Sequence, residues 1–237
     1  LSIHAEHPMF PLLRREQEFL KRFTEINLPL QFPRLRFVLE SISTINALDV
    51  VERYENVGAS VTAHHLMLTT DDVIGNHANL CMPVPKSDRH RKRLLEAVVQ
   101  GESSRIFFAS DSDPRLQSEK NRAIGIPGLY TAPEALPLLT RAFVNNARVA
   151  NMGDFVSIIG PRFYQLPEPS GIIEIIAQGH FVLDPTDEII PIVVDVSPPK
   201  ADEDAETIPP PPPDLVADPI VPFCSGQVIE WTVRYDR

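Results

Sequence analysis

The chain has 237 residues, of which 43% are hydrophobic, so it is long enough to bury one large core or two small ones. Its formal charge of −10 at pH 7 argues against binding to nucleic acid or to an anionic membrane. No apolar run in the sequence approaches the roughly 18 residues that a membrane span requires.

The basic residues and the cysteines also bear on the location and the partners of the protein. Residues 86–93 (KSDRHRKR) form the one strongly basic stretch, and we expect them to be the solvated first turns of the helix that continues as LLEAVVQ. Cys81 and Cys224 are far apart and form no CxxC motif, which is typical of reduced thiols. The sequence therefore predicts a cytoplasmic protein with no nucleic-acid or membrane partner.

Strand-like and helix-like segments alternate over the first 160 residues. LSIH, residues 1–4, has the character of the end of a strand, which is expected of a chain that lacks an N-terminal portion. The further predicted strands are 34–40, 58–66 and 105–111, and the predicted helices are 11–27, 43–54, 87–100 and 132–147. This βαβα order predicts four parallel strands joined by right-handed helical crossovers.

The character of the sequence changes after residue 160. Four short strands are predicted at 171–178, 181–185, 188–196 and 228–236, which would form an appended sheet. Residues 197–219 are acidic and contain five consecutive prolines from Pro209, so we expect an exposed, extended spacer; a proline-rich docking motif is the alternative. The predicted domains are residues 1–165 and 166–237.

Polar residues lie at the end of each predicted strand of the first domain. They are His4, Ser41, the pair His64 and His65, and Asp111 in RIFFASDSDPR, where the aspartate is either a turn residue or a ligand. The carboxyl ends of the strands converge in a (β/α)8 barrel, and imidazole and carboxylate groups are zinc ligands. This arrangement favours a metal site at the strand ends.

Several motifs resemble, in order, those of the monofunctional dihydroorotases of the amidohydrolase superfamily. They are IHAE, VTAHHLMLTTDD, NLCMPVPK, FFASDSDP, GIPGLY and the ending IVPFCSGQVIEWTVRYDR. The resemblance covers about the last two-thirds of such an enzyme. It implies an α/β fold that is the C-terminal half of a (β/α)8 barrel, strands five to eight, with a small β-rich extension.

The resemblance also implies a reaction and a set of site residues. The reaction is reversible hydrolysis of dihydroorotate to N-carbamoyl-aspartate, a step of pyrimidine synthesis, with a zinc pair as cofactor. Asp111 takes the place of the catalytic, metal-binding aspartate, and His4 that of a zinc ligand. Met82, Arg115 and Pro127 take substrate-binding positions. A small-molecule substrate and a homodimer or other self-association are the implied partners.

The chain departs from the family pattern at the site itself. Ser41 stands where the family has a zinc-binding histidine, and Arg115 where it has the histidine that holds the substrate carboxylate. Asp113 adds a negative charge, and Pro127 removes a backbone donor. The family's His-x-His pair and bridging lysine have no counterpart here, and His65 matches a family position without being an expected ligand. We therefore expect a fragment or divergent member that is inactive as given; the alternative is a pseudoenzyme that serves as a binding or scaffolding module.

Overall fold

A computed structural model of the protein describes residues 1–167, 169, 173–182, 223 and 228–235. Four short strands form a parallel sheet in which each strand pairs with the next one along the chain. The strands are β1 (Ser2–His4), β2 (Phe37–Glu40), β3 (Val57–Val61) and β4 (Ile106–Phe108). This order confirms the predicted alternation of strands with helical crossovers.

Amphipathic helices make the crossovers. In α1, Leu20 and Phe23 are buried at helical spacing, while Lys21 and Arg22 pair with Glu25 on the exposed side. The helices of this part of the chain are α1 (Arg15–Glu25), α2 (Leu28–Gln31), α3 (Ile45–Arg53), α4 (Ala63–Met67), α5 (Thr70–Gly75), α6 (Asp88–Gln100), α7 (Gln117–Lys120), α8 (Ala135–Asn145) and α9 (Ile159–Tyr164). A π-helical segment, Asp154–Ile158, leads into α9.

The two faces of the sheet have different partners, because alternate residues of a strand point to opposite sides. One face packs against the crossover helices and carries the main core, including Phe37, Leu39 and Ala59. The register places Val38, Glu40, Ser60 and Phe107 on the other side, which we call the inner face.

Helix α9 covers part of the inner face. Its residues Ile159 and Phe163 form a separate apolar cluster with Val38 and Phe107. Gly58 permits this contact, since a Cβ atom at that position would lie 2.9 Å from Cζ of Phe163. The sequence reasoning ended the helical region near residue 147 and did not predict α9.

Two predicted elements differ from those observed. The extended segment predicted over 58–66 ends at Val61, and the prediction is wrong beyond it: Thr62 caps α4 by accepting a hydrogen bond from the backbone N–H of His65. The described residues of the strands predicted at 171–178 and 181–185 belong to one strand, β5 (Ile173–Val182), which pairs antiparallel with β6 (Val228–Tyr235). The predicted strand 188–196 and the proline-rich spacer 197–219 lie outside the described residues.

The basic stretch lies on α6, as expected, with one correction. Asp88 pairs with Lys92 and Arg91, each at 2.6 Å, on the exposed first turns. Lys86, however, is buried, and its ammonium group lies 3.9 Å from the Glu16 carboxylate. None of the helices in the described part of the chain has the length and apolar character needed to cross a membrane.

Candidate active site at the strand ends

The carboxyl ends of β1, β2 and β4 surround a cavity of about 440 Å³. Its lining residues are His4, Glu40, Ser41, Ala109, Ser110 and Asp111. The parallel sheet brings these residues together because strand ends that are distant in sequence are adjacent in space. His4, Ser41 and Asp111, which sequence reasoning selected, thus meet at one site.

His4 ends β1 with its side chain half exposed. Its Nε2 atom lies 2.9 Å from the Glu6 carboxylate, and this hydrogen bond, with the negative charge of Glu6, raises the pKa of the imidazole despite partial burial. The second carboxylate oxygen of Glu6 is buried and has no hydrogen-bond partner among the residues that the structure describes. His4 is therefore held by a neighbouring carboxylate rather than free.

Asp111 lies three positions after the last residue of β4 and has a backbone φ of 44°. Partial desolvation raises the pKa of its carboxyl group, whereas a hydrogen bond from the Ser41 side chain and the nearby His4 act in the opposite direction. Ser41 is buried, has a φ of 53°, and donates its backbone N–H to Ser60 Oγ over 2.8 Å. A carboxyl group with a raised pKa beside a hydroxyl is suited to accept and return a proton.

The implied substrate-binding residues do not line this cavity. Arg115 donates to the Asp113 carboxylate at 2.6 Å through Nη2 and to the Pro127 carbonyl at 3.2 Å through Nε. Gly128, with a φ of 135°, allows Asp113 to approach, because a Cβ atom there would lie 2.6 Å from the carboxylate. Met82 is half-buried and precedes a cis proline. Arg115 and Pro127 are thus in contact, and the Arg115 guanidinium group is paired with the Asp113 carboxylate.

The residues at the cavity do not by themselves fit a zinc site. A catalytic zinc ion takes three protein ligands. Three potential ligands line the cavity, but both oxygens of the Glu40 carboxylate accept hydrogen bonds, from the Ser2 and Ser60 hydroxyls. The Ser41 hydroxyl is engaged with Asp111, so His4 and Asp111 remain as donors. Among the residues that the structure describes, one group of three His, Cys, Asp or Glu side chains has its ligand atoms within 4.8 Å of one another, and it lies elsewhere: His64, His65 and Cys81.

Sequence reasoning missed two buried polar groups. Glu16 is fully buried and accepts hydrogen bonds from the backbone N–H groups of Ser43 and Thr44, at 3.0 and 3.1 Å, at the start of α3. The sequence signal was weak, since Glu16 lies among charged residues of an amphipathic helix. The association of Cys81 with the histidine pair was also missed, because it depends on the tertiary fold.

The parallel sheet, the helices on its outer face and the polar residues at the strand ends are the arrangement of part of an α/β barrel. A scan against family models gave no match. The dihydroorotase of Idiomarina loihiensis is 30% identical over 240 residues, which cover 99% of this chain and 61% of that protein.

Solved structures agree with the sequence comparison. The dihydroorotase of Campylobacter jejuni superposes with a TM-score of 0.74 at 26% identity, over 99% of this chain and 60% of that one. The dihydroorotase of Saccharomyces cerevisiae, solved with 5-fluoroorotic acid, gives a TM-score of 0.78 at 26% identity, over the whole of this chain and 63% of that one. The chain is dihydroorotase-like over its full length and spans about three fifths of these relatives.

Proposed function

We propose that this chain supplies part of a dihydroorotase site, with Asp111 as the proton-transferring residue, and that it does not hydrolyse dihydroorotate by itself. The observation that carries the proposal is the cavity at the strand ends, where Asp111, His4 and Ser41 converge. The activity, the zinc dependence and the small-molecule substrate come from the similarity to dihydroorotases. Self-association and a cytoplasmic location remain proposals of the same kind.

The role proposed for Asp111 follows from its surroundings. Partial desolvation raises the pKa of the carboxyl group and brings its basicity closer to that of a useful proton acceptor at neutral pH. The Ser41 hydroxyl and His4 hold the ionised form in place, so the carboxylate can take a proton from a nucleophile and return it to a leaving nitrogen. Zinc, where bound in dihydroorotases, supplies the activation of water and the polarisation of the amide.

The small number of zinc ligands at the cavity explains the expected lack of activity. The Glu40 carboxylate is engaged by the Ser2 and Ser60 hydroxyls, so a metal ion at His4 and Asp111 would have two protein donors there. This is fewer than zinc ordinarily requires, and the ion would be held weakly. A dihydroorotate assay in both directions, with zinc added, should give no turnover for the 237-residue chain. Turnover that disappears in an Asp111→Asn variant would contradict the proposal and make the chain an enzyme in its own right.

A non-catalytic binding or scaffolding module is the second candidate. The contact between Asp113 and Arg115 favours it, because the guanidinium group already has a carboxylate partner at 2.6 Å. Both side chains are more than a third exposed, so the pair adds little stability and a substrate could compete with it. The two candidates therefore differ in one expected result. Replacing Ser41 and Arg115 by the histidines of the family should restore catalysis in a disabled dihydroorotase but not in a scaffold.

A set of variants in a chain extended with the remaining barrel strands of a dihydroorotase separates them. Ser41→His should raise the zinc content, since histidine tolerates the positive φ at this position better than most residues, and Arg115→His should restore carboxylate binding. Neither change alone should suffice, because the nucleophile and the orientation of the substrate are both needed. Full turnover of the unmodified extended chain would show that Ser41 and Arg115 are tolerated substitutions, and inactivity of the double variant would favour the scaffold.

A further inference from the structure

A second group of metal-ligating side chains lies in the interior, apart from the strand-end cavity. His64 and His65 lie on α4, and Cys81 lies in the segment that precedes α6. All three are buried, with exposed fractions of 0%, 2% and 3%. One ligand atom from each lies within 4.8 Å of those of the other two. None of the three lines the cavity that contains Asp111.

His64 is the residue that calls for an explanation. Both of its ring nitrogens are buried, and neither has a hydrogen-bond partner in the described part of the chain. A buried polar group without a partner costs about 1–3 kcal/mol. Burial lowers the pKa of this imidazole well below its usual value, so the ring is neutral and carries a free lone pair. Neutral imidazole is the form that binds metals.

His65 and Cys81 converge on one acceptor. The Pro83 carbonyl oxygen lies 2.7 Å from Nε2 of His65 and 3.8 Å from Sγ of Cys81. A carbonyl only accepts, so Nε2 carries the ring proton, and Nδ1 accepts from the Thr62 hydroxyl at 2.8 Å. If the proton moves to Nδ1, Thr62 becomes the acceptor and Nε2 is free to bind a cation. Thr62 can therefore hold the ring in either tautomer, as the outer partners of metal-bound histidines do.

We propose that His64, His65 and Cys81 form a structural binding site for a thiophilic divalent cation of the zinc type. Two nitrogen donors and one thiolate suit zinc, whose ligands lie about 2.0–2.3 Å from the ion. To reach these distances, the ligand atoms of the three side chains must move closer to one another by about 1 Å. The thiol loses its proton to solvent when the cation binds, and His65 only changes tautomer.

The charges around the cluster are compatible with a cation. The Cys81 thiolate and the ion together carry one positive charge, and the ammonium groups of Lys120 and the buried Lys86 oppose it. The negative charges of the Asp111 and Glu6 carboxylates favour a cation at Cys81, and Oε1 of Glu6 is buried without a hydrogen-bond partner in the described part of the chain. Because the cluster is enclosed, the ion would connect α4 to the segment around Cys81 rather than activate a substrate.

The test uses cobalt(II) as a spectroscopic probe and zinc as the competitor. Cys224→Ser serves as the background, so Cys81 is the sole remaining thiol of the 237-residue chain. Refolding with cobalt should give about one ion per chain and a thiolate-to-cobalt charge-transfer band in the near ultraviolet, which zinc should abolish. About one proton should be released for each ion bound.

Two variants and one control locate the site. Cys81→Ser should remove the band, and His64→Gln should weaken binding by about ten-fold or more while far-ultraviolet circular dichroism shows a folded chain. Asp111→Asn should leave the band and the stoichiometry unchanged, which separates this site from the proposed active site. Absence of a charge-transfer band in the Cys224→Ser chain would overturn the proposal, and so would a band that persists after Cys81→Ser. The test in the Cys224→Ser chain does not depend on the folding of any variant of His64, His65 or Cys81, since all three residues are intact in that chain.

Discussion

Acidification should destabilise the protein through His65. Burial lowers the pKa of this imidazole from 6.5 to about 4, and the hydrogen bond to the Pro83 carbonyl does not compensate. The unfolded chain therefore binds the proton more readily than the folded chain between these two values. The stability contribution of His65 is present above pH 6.5 and is lost as the pH falls towards 4.

The magnitude follows from the shift. A difference of about 2.5 pKa units corresponds to about 3 kcal/mol at pH 4, with a slope of at most about 1.4 kcal/mol per pH unit. Since a folded domain is stable by only about 5–15 kcal/mol, this loss is a large fraction of the total. The neighbouring His64, whose pKa is also lowered by burial, adds to the effect in the same direction.

Urea unfolding at several pH values between 4 and 7.5, with a chelator present to exclude metal, measures the effect. His65→Gln should reduce the slope of the unfolding free energy against pH by up to about 1.4 kcal/mol per pH unit, which corresponds to one proton. This holds whatever the variant does to stability at neutral pH. His77→Gln, at an exposed histidine, controls for the loss of a histidine as such. Equal slopes for the wild type and His65→Gln would refute the burial of a neutral His65.

Two further outcomes are expected. Gly58→Ala should destabilise the chain by about 1–3 kcal/mol, because the new Cβ would lie 2.9 Å from Phe163. Gly153→Ala, where no atom lies within 4 Å of the new Cβ, should not destabilise it. Equal effects of the two variants in chemical unfolding would mean that α9 does not pack at Gly58. The chain should also self-associate, since β1 and β4 are the edges of the described parallel sheet and leave backbone groups unpaired, and a compact monomer in light scattering would contradict this.

The sequence alone was sufficient for the order and type of the main elements. Apolar spacing defines α1, α3, α6 and α8, and the short apolar runs define the four parallel strands, because these patterns depend on local periodicity and on burial against a neighbouring layer. The polar residues that follow the strands were identifiable for the same reason, since parallel strands bring their carboxyl ends to one edge of the sheet. The order of several motifs was enough to indicate the resemblance to dihydroorotases.

Only the tertiary structure decided which of these polar residues meet and which are already engaged. His64 and His65 lie on a helix rather than a strand, because the Thr62 hydroxyl accepts the His65 backbone N–H and ends the extended segment. Cys81 joins them although it lies 16 positions after His65, and the pairing of Arg115 with Asp113 depends on the close approach at Gly128. Contacts of this kind are set by packing between segments, and no local sequence pattern encodes the distances and hydrogen bonds that make a residue available or unavailable for chemistry.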